Sequence, residues 1–171
     1  MIFEGLNAKL EQEVLCTRTG SDGEIETYRD WQTVFDGCFL MCETRKTVPS
    51  MIRICKKGPE IVPAEISHYR TGSSVFDSRF SVFADDPTEA AGILTEEFLQ
   101  NILALDALAD TRFELSVHQQ KLSIALSGDR RFLSMEGAET THVSDLTANL
   151  KISLAYTSSL LDQISKNPVL F

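Results

Sequence analysis

Between residues 6 and 16, Leu6, Ala8, Leu10, Val14 and Cys16 fall on alternate positions, while Lys9, Glu11 and Glu13 take the other parity. A period of two puts one row of side chains on each face of an extended chain, so this stretch predicts a half-buried strand. The glycines and aspartate of residues 19–24 supply turn chemistry, and the polar residues that follow to Asp30 predict an exposed loop. Val34–Cys42 is apolar on both parities, the mark of a central strand covered on two sides, with Gly37 signalling a bulge or a close backbone approach. A turn over residues 44–50 then returns the chain as a second strand, Met51–Cys55, to make a hairpin. Residues 58–75 are rich in Pro, Gly and Ser and predict a long irregular loop, after which Phe76–Asp85 is strand-like, with Phe80 and Val82 on one face.

Asp86-Pro87-Thr88-Glu89 has the order of a helix start, with an Asp cap, Pro in the first turn and an acid behind it. A break near 92–94 follows, and Thr95 caps a second helix to about Leu108 that carries Phe98, Ile102 and Leu105 on one stripe. Phe113, Leu115 and Val117, then Leu122, Ile124 and Leu126, alternate as two strands, which predicts a hairpin around Gln119-Gln120 and, after a turn, a short segment Phe132–Met135. Leu146, Leu150, Leu154, Thr157, Leu161 and Ile164 recur at helical spacing behind a Ser144 cap, and Pro168 stops that helix. The expectation is one α+β domain over residues 1–171: a mainly antiparallel sheet of about five to eight strands packed against two principal helices, near 95–108 and 144–166. Its predicted core is Phe35, Phe39, Leu40, Ile52, Ile54, Phe80, Val82, Phe98, Ile102, Leu115, Ile124, Leu150 and Leu154.

Composition agrees with a folded domain: 171 residues, 43% apolar and 24% charged, suffice to hide roughly 70% of the unfolded surface. A net charge of −9 argues against nucleic acid and against direct binding to an anionic membrane. No apolar run approaches the ~20 residues of a membrane helix and no charged-then-apolar leader opens the chain, so a reducing compartment and free thiols are expected for Cys16, Cys38, Cys42 and Cys55.

Chemistry is harder to find. Cys38 and Cys42 point the same way about 13 Å apart along a strand, too far to share one zinc, and unless Cys16 or Cys55 approaches from a neighbouring strand they are small buried hydrophobes. His68, His118 and His142 stand in no metal-binding pattern. Asp85, Asp86, Glu89, Glu96 and Glu97 form the densest acidic group, a metal or acid–base set if they converge, yet two consecutive helix starts ask for acids at these positions for local reasons. Arg130 and Arg131 are an anion grip or the decoration of a turn, and no phosphate loop or nucleophile elbow is present.

The ordered string Trp31-Gln-Thr-Val-Phe-Asp-Gly-Cys-Phe39, a basic turn with Pro49, Phe80-Ser-Val-Phe-Ala-Asp-Asp86, Glu89-Ala-Ala-Gly-Ile-Leu-Thr95 and Leu122-Ser-Ile-Ala-Leu126 resembles a bacterial family of uncharacterised proteins, domain of unknown function 3137. The resemblance runs from about Gly5 to Ile164 and implies a soluble cytoplasmic part of a longer chain held at the membrane by an anchor outside it. It names no activity. The residues favour a non-catalytic interaction or sensing module, with no cofactor or metal and with another protein as partner. The alternative is a small hydrolase or ligand-binding protein with a pocket under the 58–75 loop, using His68, His118 or His142 with a carboxylate.

Overall fold

The computed structural model describes residues 3–21, 23–58, 68–109, 111–128 and 143–171. Its elements are β1 (Phe3–Thr19), β2 (Ile25–Lys56), β3 (His68–Tyr69), α1 (Ser74–Arg79), β4 (Phe80–Ala84), α2 (Pro87–Ile93), α3 (Glu96–Ala109), β5 (Phe113–Ser127) and α4 (Val143–Ser165). Every described strand pair is antiparallel; β2 lies at the centre, with β1, β4 and β5 all pairing to it and β3 added outside β4. The expected α+β class and the two principal helices are observed.

Two hairpins expected from the sequence are replaced by long bent strands. Residues 113–127 form one strand, not two, and Gln119 takes a left-handed backbone (φ 54°) that switches the inward parity from Phe113, Leu115 and Val117 to Leu122, Ile124 and Leu126. A change of parity fits a reversal of direction or a kink, and here it is a kink. Likewise β2 continues past 44–50. Its register against β5 shifts between Glu43 and Ile52, and the backbone freed there finds other partners: Arg45 and Lys46 donate to the Leu170 carbonyl, and the Met51 N–H donates to Asp85. The tail that follows α4 is held by buried Asn167, whose amide donates to the Ile93 carbonyl and whose oxygen accepts from Val169 and Leu170.

The residues to Asp30, expected as a loop, are strand: β1 and the start of β2 run on as a two-stranded ribbon, turning at residues 20–24. Val34 is the extra residue where the register shifts between Leu10 and Glu11. Leu6 and Leu10 are exposed, so β1 is far less buried than its alternation suggests. Phe76 opens no strand; it is the buried anchor of the short helix α1, stacked on Phe80 with ring centroids 4.8 Å apart.

All described helices pack on one face of the sheet. Leu40, Ile52, Ile54, Val82, Leu115 and Ile124 meet Phe98 and Ile102 of α3 and Leu160 and Ile164 of α4 in one core. Phe35 and Phe39, expected in that core, are only half-buried, because they take the opposite parity to Leu40 and no described helix covers that face. Leu154 is 48% exposed, since α4 is buried only from Thr157 onward among its described side chains. Ser144, expected as the cap, lies inside α4, which already runs from Val143; the side chains of Leu146 and Leu150 and the expected segment Phe132–Met135 lie outside what is described.

Candidate functional site

The face of the sheet turned away from the helices carries charge that the apolar strands do not need for folding. Arg53 stands between Ile52 and Ile54 on β2, and Glu114 between Phe113 and Leu115 on β5; strand alternation turns both away from the core their neighbours enter. Register sets Arg53 opposite Ser116 and Cys55 opposite Glu114, so the pair meets on the diagonal. Arg53 donates to Glu114 Oε2 from Nε at 3.2 Å and from a terminal nitrogen at 2.6 Å, and Arg112 approaches Oε1 at 3.9 Å. Burial works against the Arg53 charge, but the bonds to Glu114 and the neighbouring Cys55 outweigh it and hold the guanidinium above its ordinary range.

Around this pair lie two adjoining hollows. One, of about 300 Å³, is walled by Val34, Phe35 and Phe39 and floored by Arg53, Arg112 and Glu114. The other, of about 180 Å³, shares Phe39, Arg53 and Glu114 and reaches Met51 and Ser116. The Phe35 and Phe39 rings touch at a 4.6 Å centroid distance. From this rim the β1–β2 ribbon projects, with Leu15 73%, Ile25 75% and Trp31 65% exposed. The ribbon is braced across its strands by Arg18 to Glu26 at 2.8 Å, with Arg18 also over the Tyr28 ring, and by Arg29 to Glu13 at 3.3 Å. Apolar walls around an ion pair already satisfied make a surface suited to holding something, and neither His68 nor His118, the two described histidines, lines either hollow.

The residues singled out in the sequence are dispersed. His68 stands edge-on to Phe83 on β3, His118 is exposed before the β5 kink, and neither hydrogen-bonds a carboxylate among the described residues; His142, Arg130 and Arg131 lie outside them, as does most of the 58–75 loop. The acidic group divides its work. Asp86 caps α2 by accepting from Thr88 and Glu89, Glu96 accepts from Gln100, Glu97 sits in the first turn of α3, and Asp85 and Glu89 cross to the β2 backbone at Met51 and Ser50. Among the described residues no cluster of three or more His, Cys, Asp or Glu side chains is placed to hold a metal. All four cysteines are free thiols; Cys38, Cys42 and Cys55 are buried and Cys16 half-buried, and burial pushes the Cys42 thiol up to about 11.

A second charged cluster was not legible. Asp106 of α3 is buried, with Lys56 Nζ 2.8 Å from one carboxylate oxygen, at ion-pair distance without hydrogen-bond alignment, and Arg79 on the other. It ties the end of β2 and the end of α1 to α3. Because both cations reach solvent while the carboxylate does not, the arrangement is a structural clamp.

Among the described residues no helix is long and apolar enough to cross a membrane. No curated protein matches the sequence. A solved structure, the mycobacterial trehalose monomycolate transport factor A, TtfA, is similar over 92% of this chain and 72% of that one, at 11% identity and a TM-score of 0.49. The family model described as protein of unknown function DUF3137 matches residues 33–166, a span that takes in β2 from Thr33 to its end, the paired Arg53 and Glu114 and every described helix, and the chain therefore belongs to that family.

Proposed function

We propose that this domain is a non-catalytic interaction module that docks another protein along the ribbon and the adjoining helix-free face. One observation carries the reading: among the described residues, eight of the twelve exposed large apolar side chains (Phe3, Leu6, Leu10, Leu15, Ile25, Tyr28, Trp31 and Val34) belong to β1 and the first part of β2. Apolar exposure concentrated on one projecting element has no folding purpose and fits a contact surface with aromatic anchors. The net charge of −9 favours a protein partner over nucleic acid or an anionic lipid surface. Presentation at the cytoplasmic side of a membrane, through an anchor outside this chain, belongs to the same proposal. The hollow of about 300 Å³ supports a second reading, a small-ligand carrier, in which the Phe39 wall and the two arginines would hold an anion with an apolar body.

A photo-crosslinking residue at Trp31 or Val34 in cells, with Gln100 on the helix layer as control, tests the docking claim. Adducts with a different protein are expected at Trp31 and Val34 and not at Gln100. Joining Glu11 to Thr33, which face each other, through an Asn-Gly turn removes the ribbon tip, Trp31 with it, and should abolish the adducts formed from Val34 while leaving the fold intact. Equal labelling of both faces, or adducts indifferent to loss of the tip, overturns the proposal. Saturable binding of a small anion, lost in Phe39→Ala with the protein adducts absent, would favour the carrier.

A further inference from the structure

β2 and β5 part where both strands bend. Glu43 still faces Lys121 and Val48 faces Gln119, so residues 44–47 of β2 stand against the single residue Gln120. The excess is held in one shape: the Leu170 carbonyl accepts from the Arg45 and Lys46 N–H groups, and the Thr44 hydroxyl donates to the Lys46 carbonyl. On the β5 side Gln119 keeps a positive φ of 54°, a conformation for which Gly or Asn is the cheaper residue, so the glutamine side chain is kept at a cost to the backbone. At this widened joint lies a hollow of about 520 Å³ lined by Glu43, Thr47, Pro49, Gln119, Gln120 and Lys121. A smaller one of about 120 Å³ shares Glu43 and Lys121 and extends past Met41 to Glu4. Among the described residues the side chains of Glu4, Glu43, Gln119, Gln120 and Lys121 make no hydrogen bond or ion pair, although Glu43 and Lys121 are opposite charges directly opposed across the strands.

We propose that these joined hollows bind a basic α-amino acid, a zwitterion with a second cationic group. Lys121 takes the carboxylate and Glu43 the ammonium, two charges that such a ligand carries on one carbon and that the opposed pair presents side by side. The Gln119 and Gln120 amides and the Thr47 hydroxyl supply donors and acceptors for the lone pairs and protons that the two charges leave over. Glu4 selects the side chain. It stands opposite Met41, two residues from Glu43 along β2 and therefore about 7 Å further on, a span that a four-carbon amine side chain covers as it passes Met41. Glu4 and Glu43 against Lys121 give the lining a net charge of −1, which matches a ligand of net charge +1 better than a neutral amino acid or an anion. Because the bulge is already fixed by the tail after α4, binding needs little ordering of the backbone.

The site is independent of docking along the ribbon, because it draws on the end of β1 away from the ribbon tip and on the joint of β2 with β5, and it is tested on purified protein alone. Isothermal titration calorimetry of the full chain at physiological salt should show saturable one-to-one binding of L-lysine. L-Norleucine, which lacks the second amine, and cadaverine, which lacks the carboxylate, should each bind more weakly by about tenfold or more. Glu43→Gln and Lys121→Met should each weaken lysine by about tenfold or more, and Glu4→Gln should bring lysine down to the norleucine level. Gln119→Gly should weaken binding while the urea midpoint stays at or above that of the parent, since glycine takes a positive φ freely. Glu4, Glu43, Gln119 and Lys121 are exposed, so the variants should keep the fold, which their urea midpoints check. The proposal is overturned by the absence of saturable heat with lysine, by lysine affinity unmoved in Glu43→Gln, Lys121→Met and Gln119→Gly, or by norleucine bound as tightly as lysine. Cadaverine bound as tightly as lysine also overturns it, since that would be the attraction of any cation to a chain of net charge −9.

Discussion

Gly37 sits where β2 passes closest to β5: a Cβ added there would lie 1.9 Å from the Leu126 carbonyl oxygen, a backbone atom that cannot swing aside. Gly37→Ala must push the two strands apart at the middle of the sheet, and a loss of about 3 kcal/mol, at the upper end for overpacking, is expected in urea unfolding. The sequence marked this position as a bulge or a close approach, and it is the second; the bulge belongs to Val34. Cys42 makes a different residue-scale prediction. Burial raises its thiol from an ordinary 9.0 to about 11, so above pH 9 the unfolded chain releases a proton that the folded one keeps. Stability is unaffected by this group below pH 9 and falls as pH rises from 9 to 11. Cys42→Ala should flatten the decline, which a pH series of urea midpoints would show; a decline of unchanged slope would mean the thiol is not its source.

At the scale of elements, legibility followed how locally each signal is made. The starts of α2 and α3 were readable because Asp86 and Thr95 cap through neighbours two or three residues away. α1 was not, since Ser73 makes no side-chain cap bond and Phe76 reads equally well as strand. The bent strands β2 and β5 were misread as hairpins because turn-like residues at a break in periodicity do not reveal whether the chain reverses or finds hydrogen bonds elsewhere. For β2 those bonds come from the tail after α4, more than 100 residues away in the chain. That tail yields a prediction: Asn167→Ala removes the acceptor of two backbone N–H groups and the donor to Ile93, and should cost about 3 kcal/mol, with faster amide exchange at Arg45 and Lys46 than in the parent. Exchange unchanged at those amides would show that the tail does not hold the break closed.

For the whole molecule, the helix layer was recoverable from patterning, since one parity of each inner strand meets the apolar stripe of α3, but the second cover that the two-sided apolar run Val34–Cys42 predicted is not present among the described residues. The candidate surface was not. Arg53 and Glu114 lie 61 residues apart, and nothing in either strand announces the other until register puts them together. A lone charge inside an otherwise apolar strand was the available clue, present at both positions and passed over. The exposure of the ribbon was hidden for a related reason: the alternation of Leu6, Leu10 and Val14 reads as a half-buried strand, and only the absence of a covering layer among the described residues shows the ribbon to be surface.

The central place of β2 also governs how the chain reaches this state. Its pairing with β1 closes a local turn at residues 20–24, which a nascent chain can form early, but its pairing with β5 joins Gly37 to Ser127 across 90 residues of intervening chain. Loop closure of that span must precede any reward from it, so acquisition of the native sheet is expected to be slow for a domain of this size. Until β5 is synthesised, the segment Gly37–Glu43, rich in Cys, Phe, Leu and Met, presents an unpaired strand edge beside a ribbon already formed. During synthesis that interval, and not the finished fold, is the time of greatest risk of aggregation.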